Sequence, residues 1–242
     1  AYHLSEGPES SAGSAMSPHV RAVFFDAVGT VLFPHPGAPH VYAETAAAFG
    51  LPADPAEVLA KFKAAFRREE DVDRAAGWVT SEQREEDRWR AIVAESLPGA
   101  PAGVFESLYG HFGKPEAWRV PDGTAAVLDD LAGRGLVLGL ASNYDSRLES
   151  VLAGRPELGR LRGRVVISSL VGVRKPGGGF FAEVRERAGC EPGEILFVGD
   201  DVENDYEGAT AAGFRAVLLD PAGRWPQVPR RVARLDELLS GF

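Results

Sequence analysis

A single cysteine, Cys190, and a single methionine, Met16, are the scarcest side chains in this 242-residue sequence. One thiol cannot close an internal disulfide, so a reducing, cytoplasmic compartment is expected, with Cys190 a spectator. No apolar run approaches the roughly 20 residues that a membrane helix requires, so no membrane partner is expected. Positive charge is also short, with 26 Lys and Arg against 35 Asp and Glu and a net charge of −9. That balance argues against nucleic acid or an anionic membrane surface. It leaves an anionic small molecule open, because local fields and a metal decide that question. The first fifteen residues, AYHLSEGPESSAGSA, lack the basic start and apolar centre of a signal peptide. Residues 1–19 read as a leader or tag remnant outside the fold, with translation starting at Met16.

With 45% hydrophobic residues, the chain can build a full core with room for an insertion. Its organising stretch is Arg21 to Thr30, RAVFFDAVGT. The apolar start reads as a buried strand, and it runs into Asp26 followed by a Gly turn. A strand ending this way places the carboxylate at the C-terminal edge of a parallel sheet, where open α/β folds bind ligands. Residues 31–39, VLFPHPGAP, are too rich in Pro and Gly to continue regular structure.

Four stretches of helical periodicity follow, at 42–49, 56–70, 82–95 and 102–112, with no convincing strand among them. The second carries Val58, Leu59, Phe62, Ala65 and Phe66 on one face. The third is introduced by Thr80-Ser81 as a cap and turns Trp89, Ile92 and Val93 inward. Together they predict an all-helical unit over residues 35–118. Beyond it, apolar runs at 136–140, 165–167, 195–198 and 216–219 alternate with helical segments. Strands spaced by helices mean right-handed βαβ units and a doubly wound parallel sheet, so the class is α/β with a core of residues 20–34 and 119–242.

Polar residues close four of these strands. Asp26 follows the first, Ser142-Asn143 the second, Lys175 lies beyond 165–167, and Asp200-Asp201 follows 195–198. Singly, each is explained by capping or by a solvated loop charge; their convergence on one sheet edge is not. Carboxylates with a lysine suit a hard divalent cation and a phosphoryl group, since Mg²⁺ takes oxygen ligands and keeps several waters. An aspartate there can attack phosphorus and form an aspartyl-phosphate. Ser142 and nearby backbone N–H groups would hold phosphoryl oxygens.

The motifs Asp26-Ala27-Val28-Gly29-Thr30, Ser142-Asn143, Lys175-Pro176 and Gly199-Asp200 with Asp205 resemble those of the haloacid dehalogenase superfamily, over residues 20–240. DAVGT is also similar to the group named for a rhythmically expressed insect gene product. The resemblance implies a helical cap inserted after the first motif, which opens and closes over the site. It implies a nucleophile at Asp26, catalytic roles for Ser142 and Lys175, and substrate binding by Thr30, Ser142, Asn143 and Lys175. It further implies Mg²⁺ held by Asp26, the Val28 carbonyl, Asp200 and Asp205, with Asp201 an alternative ligand and Asp205 able to orient the lysine or a metal-bound water. The expected substrate is a small phosphorylated metabolite.

One departure matters. Family phosphatases carry a second aspartate, the general acid, two residues after the nucleophile; here Val28 stands in its place. General-acid help is worth about 10²–10⁴-fold, so alkoxide leaving groups should be poor substrates. Halide needs no acid, which revives a 2-haloacid dehalogenase reading, and a non-catalytic phospho-ligand or partner binder is a third. The acidic cluster arbitrates for the phosphatase, because without a cation Asp26, Asp200 and Asp205 would repel one another and an anionic haloacid. His35 and His40 are candidates for a replacement acid, Arg67 and Arg68 for a substrate anion, and Tyr144 for a pocket wall.

Overall fold

The computed structural model describes residues 19–240. The leader reading, including Met16, rests on residues that lie outside that range except for His19. Eight strands form, β1 (Ala22–Phe25), β2 (Phe33–Pro34), β3 (Trp118–Arg119), β4 (Val137–Ser142), β5 (Val165–Ile167), β6 (Ile195–Gly199), β7 (Arg215–Leu219) and β8 (Arg231–Val232). Six of them make a parallel sheet in the order β5-β4-β1-β6-β7-β8, while β2 and β3 pair antiparallel as a separate two-stranded ribbon. The chain therefore starts at the centre of the sheet, winds outward on one side, and returns to fill the other. Crevices for ligands open where such winding reverses, and β1 lies there.

The apolar runs produce buried strands because both sheet faces are covered. Val23 and Phe25 point into one core layer with Leu138, Leu140, Leu196 and Val198. Ala22 and Phe24 point into the other with Phe197, Phe181 and Phe214. The first layer is closed by α5 (Thr124–Gly133) and α6 (Arg147–Ala153), the second by α8 (Gly178–Ala188) and the short α9 (Gly208–Ala211). A further turn of helix, α7 (Ser168–Val171), follows β5.

Between β2 and β3 lie α1 (Ala38–Ala48), α2 (Pro55–Ala75), α3 (Glu82–Ser96) and α4 (Ala102–Phe112), packed around their own core of Val41, Val58, Val93, Val104 and Leu108. Local chemistry sets their starts. The Asp54 carboxylate accepts from the Ala56 and Glu57 N–H groups (2.8 and 3.1 Å), and Ser81 Oγ accepts from Arg84 N–H (3.1 Å), as its capping position predicts.

Four expectations are corrected. The stretch 31–39 is not irregular throughout: β2 forms in it, and α1 begins at Ala38 with Pro39 in the first turn, where a missing N–H costs nothing. Residues 216–219 are not the last strand, since β8 extends the sheet. The helix expected over 205–212 divides into a π-helical turn, Val202–Glu207, and α9. Finally, α7 was not anticipated, because four residues carry no periodicity.

Candidate active site

Register brings the chemistry together. Phe25 is level with Leu140 of β4 and Val198 of β6, so Asp26, Ser142 and Asp200 emerge from neighbouring strands at one edge. Asp26 is buried, and its N–H donates to the Val198 carbonyl (2.8 Å), continuing the ladder by one residue. Two donors converge on its Oδ1: Lys175 Nζ at 2.6 Å and Ser142 Oγ at 3.2 Å. Oδ2 accepts neither, so one carboxylate oxygen is anchored and the other is left to react.

Lys175 is the hub. Besides Asp26, its ammonium donates to Asp205 Oδ1 (2.6 Å) and the Ala141 carbonyl (3.2 Å). Burial alone would lower the lysine's pKa, but Asp205 and Asp26 outweigh it and hold the group above its ordinary value. Its backbone is gripped by Asn143, whose Oδ1 accepts from Lys175 N–H (2.7 Å) while Nδ2 donates to the Lys175 carbonyl (3.1 Å). Asn143, expected to bind substrate, thus spends its amide on placing the lysine.

Three carboxylates face this one cation. Asp26, Asp200 and Asp205 each offer an oxygen, all within 4.8 Å of one another. Burial first, then Asp26, Asp205 and Asp201, push the Asp200 carboxyl up to about 8; burial lifts Asp205 to about 6 against the pull of Lys175. Fully ionised, the three would carry −3 against +1, a deficit of two charges. Leu32 N–H donates to the Ala27 carbonyl (2.8 Å) and Gly29 N–H to the Leu32 carbonyl (2.9 Å), which leaves the Val28 carbonyl between them without a backbone donor among the described residues.

Gly29 is required for this approach. Its φ is +97°, and a Cβ there would lie 2.4 Å from the Asp200 carboxylate.

Two candidate residues, Thr30 and Asp201, stand differently from expectation. Thr30 is completely buried, its Oγ1 has no hydrogen-bond partner among the described residues, and it does not reach the cavity, so it cannot touch substrate here. Asp205, expected as a metal ligand or to orient the lysine, accepts through both oxygens, from Lys175 and from Asp201 N–H (3.0 Å), as the second of these roles anticipates. Asp201 is exposed and caps the following turn by accepting from Asn204 N–H (2.8 Å). Val28 is 37% exposed and lines the cavity, at the position where an acid would stand. Among the other candidates, His35, His40, Arg67 and Arg68 are exposed and do not line the cavity, and Arg68 pairs with Glu95. Tyr144 does form part of the wall and donates to the Phe112 carbonyl (3.0 Å).

Above the carboxylates the cavity, about 440 Å³, continues between sheet edge and helices. Sequence reasoning missed the charged network beside it. Arg174 Nη1 donates to Asp73 of α2 (2.7 Å) and Glu85 of α3 (3.3 Å), joined by Arg88 to Asp73 (3.2 Å), and all four side chains are buried. The one available signal was Arg174 beside the predicted lysine. A second tie, Glu82, accepts from Ser146 N–H (2.9 Å), from Ser146 Oγ (2.6 Å) and from Ser169 Oγ. No helix among the described residues is long and apolar enough to cross a membrane.

Comparison with known proteins places this geometry. Residues 20–213 match the family model of haloacid dehalogenase-like hydrolases. The human haloacid dehalogenase-like hydrolase domain-containing protein 3 is 33% identical over 224 residues, 85% of this chain and 86% of that protein. A ribulose-1,5-bisphosphate 5-phosphatase of Halopiger xanaduensis is 28% identical, covering 69% of this chain and 70% of that protein. Among solved structures, the magnesium-bound HAD-hydrolase YfnB of Bacillus subtilis superposes with a TM-score of 0.73 at 21% identity, over 92% of this chain and 98% of that one. An L-2-haloacid dehalogenase of Xanthobacter autotrophicus gives 0.70 at 18%, over 90% and 96%.

Proposed function

The chain belongs to the haloacid dehalogenase-like hydrolases, and from that membership we propose that it is a Mg²⁺-dependent phosphatase of a small phosphorylated metabolite. The observation that carries this reading is the deficit of two positive charges among Asp26, Asp200, Asp205 and Lys175, which burial makes costly until a divalent cation supplies them. Asp26, Asp200 and the Val28 carbonyl would hold the ion, which when bound neutralises charge on the transferring phosphoryl group.

The reaction then runs on residues already placed. Asp26 Oδ2 attacks phosphorus, the bond to the leaving oxygen breaks, and an aspartyl-phosphate forms; water cleaves it and regenerates the carboxylate. Lys175 and Ser142 anchor Oδ1 so that the free oxygen points at the substrate, and both donate toward the phosphoryl oxygens. Asp205 and Asn143 keep the lysine charged and in position. Residues 35–118 serve as the cap over a core of residues 20–34 and 119–240 and exclude water when closed.

Steady-state turnover of acetyl phosphate with Mg²⁺, abolished by EDTA and restored by added Mg²⁺, is the expected result. Halide release from a 2-chloroacid in the presence of chelator would replace this reading by dehalogenation; tight phosphate binding without turnover would replace it by a binding role. Val28→Asp should raise turnover of alkyl phosphates by at least ~10-fold, because it restores a proton donor beside the nucleophile.

A further inference from the structure

The wall above the carboxylates is a run of aromatic rings. Phe66 and Phe62 stack at 6.0 Å between centroids, and Trp89 lies against both, at 6.4 and 6.3 Å. Tyr42 meets Phe62 edge-on at 5.7 Å and Phe112 at 6.2 Å. From Phe112 the series passes to Trp118 (5.8 Å) and on to Tyr144 (6.1 Å), two residues beyond Ser142. Every ring in this series lines the cavity, so aromatic surface extends without a break from α2 and α3 to the phosphoryl site.

A cap core alone does not account for it. Tyr42 belongs to the helices' core, where Val41, Val58, Val93 and Leu108 are 6% exposed or less, and Phe62, Trp89 and Phe112 pack at the edge of that core. Phe62, Phe66, Trp89 and Phe112 by contrast stay half-buried, with the exposed part bordering the cavity. Apolar surface left wet forgoes about 25 cal/mol per Å², and within a cleft it marks a ligand-binding wall. Of the charged groups at the margin, Arg174 pairs with Asp73 and Glu85, Arg147 pairs with Asp145, and Glu70 accepts from Asn204 Nδ2 (3.3 Å). Arg88 Nε and Nη2 have no acceptor but are sealed from solvent, with the guanidinium over the Phe66 ring at 4.5 Å. Sugar hydroxyls seated against the rings would lose water and find no hydrogen-bond partner there.

Val28 leads independently to the same chemistry. No acid stands at position 28, where Val28 offers the leaving oxygen no proton, so that oxygen departs as an anion. A phenolate can do so, since a phenol has a pKa near 10, whereas a sugar alkoxide approaches the basicity of hydroxide.

Resting on the phosphatase reading, we propose that the substrate is an aryl phosphate, a phosphate monoester of a phenol, whose ring system lies on the Phe62–Trp89 wall. Asp26 displaces the phenolate, which leaves with the P–O bonding electrons and takes a proton from solvent. Water then attacks the aspartyl-phosphate, so one water is consumed and phenol and phosphate are released. The cavity, about 440 Å³, is within the ~300–1,000 Å³ typical of small-molecule sites.

The test compares kcat/KM for 1-naphthyl phosphate, glyceraldehyde 3-phosphate and acetyl phosphate on the full chain with Mg²⁺. The naphthyl ester should exceed the sugar phosphate by at least ~100-fold, and Phe62→Ala should lower the naphthyl-to-acetyl ratio at least ~10-fold. A second measurement needs neither turnover nor a mutant. Titration with 1-naphthylmethylphosphonate should quench tryptophan fluorescence through Trp89 at micromolar concentration, and glyceraldehyde 3-phosphate should not compete. Acetyl phosphate turnover without aryl preference would overturn the inference and leave the phosphatase reading standing. Failure to turn over any of the three would overturn that reading, and fluorescence unresponsive to the phosphonate would overturn the aryl site itself.

Discussion

The floor and the roof of the cavity are built on opposite principles. The floor is polar and spans a few ångströms: three carboxylates and a lysine at one edge of the sheet, held by bonds of 2.6 to 3.2 Å. The roof is aromatic and spread over helices α1, α2, α3 and α4, with ring centroids 5.7 to 6.4 Å apart. Charge makes the floor intolerant, because a lost group leaves a buried partner unpaired, at several kcal/mol. Dispersion makes the roof tolerant, because each contact is weak and a neighbouring ring can shift to compensate. A site of this kind separates reaction from selection: the floor carries the chemistry, the roof chooses the molecule.

Four substitutions sharpen the contrast, taken from the largest effect down. Asp26→Asn should lower turnover of any substrate by on the order of 10⁴-fold or more while leaving the circular dichroism spectrum unchanged, since it removes the nucleophile and not the strand. Arg174→Met strikes the join between floor and roof. It takes from buried Glu85 its ion-pair partner and from Asp73 one of three, the others being Arg84 and Arg88, and should reduce unfolding free energy by about 3–5 kcal/mol in a urea titration. In chelator, Asp200→Asn should melt higher than the parent, because it relieves the repulsion that pushes this carboxyl up to about 8. The same variant should forfeit the stabilisation gained from Mg²⁺, worth about 2.7 kcal/mol for the parent at a hundred times its Kd. Glu82→Gln loosens only the half-exposed tie to Ser146 and Ser169 and should cost about 1 kcal/mol. A melting temperature unchanged in Arg174→Met, or no higher than the parent's for Asp200→Asn in chelator, would break the distinction between the two regions.

The floor was legible in the residues themselves. A parallel strand presents its last side chain at the C-terminal edge whatever surrounds it, so apolar runs ending in Asp26, Ser142 and Asp200 located the site directly. Lys175 could be added because its loop leaves the same edge, and the start of the third helix could be read because Ser81 acts within a single turn. Roles that depend on who else competes for a side chain were not legible. Asn143 clasps the lysine backbone, and Thr30 is sealed below the turn. The roof was legible only as periodicity. Phe62, Phe66 and Trp89 were assigned inward-facing positions correctly, but one spacing serves equally for a packed core and for a wall facing a cavity. Sequence determined which groups reach the sheet edge, because register follows from local alternation. Tertiary structure alone decided which aromatic faces stay open to a ligand, because that depends on the distance at which the helices come to rest above the sheet.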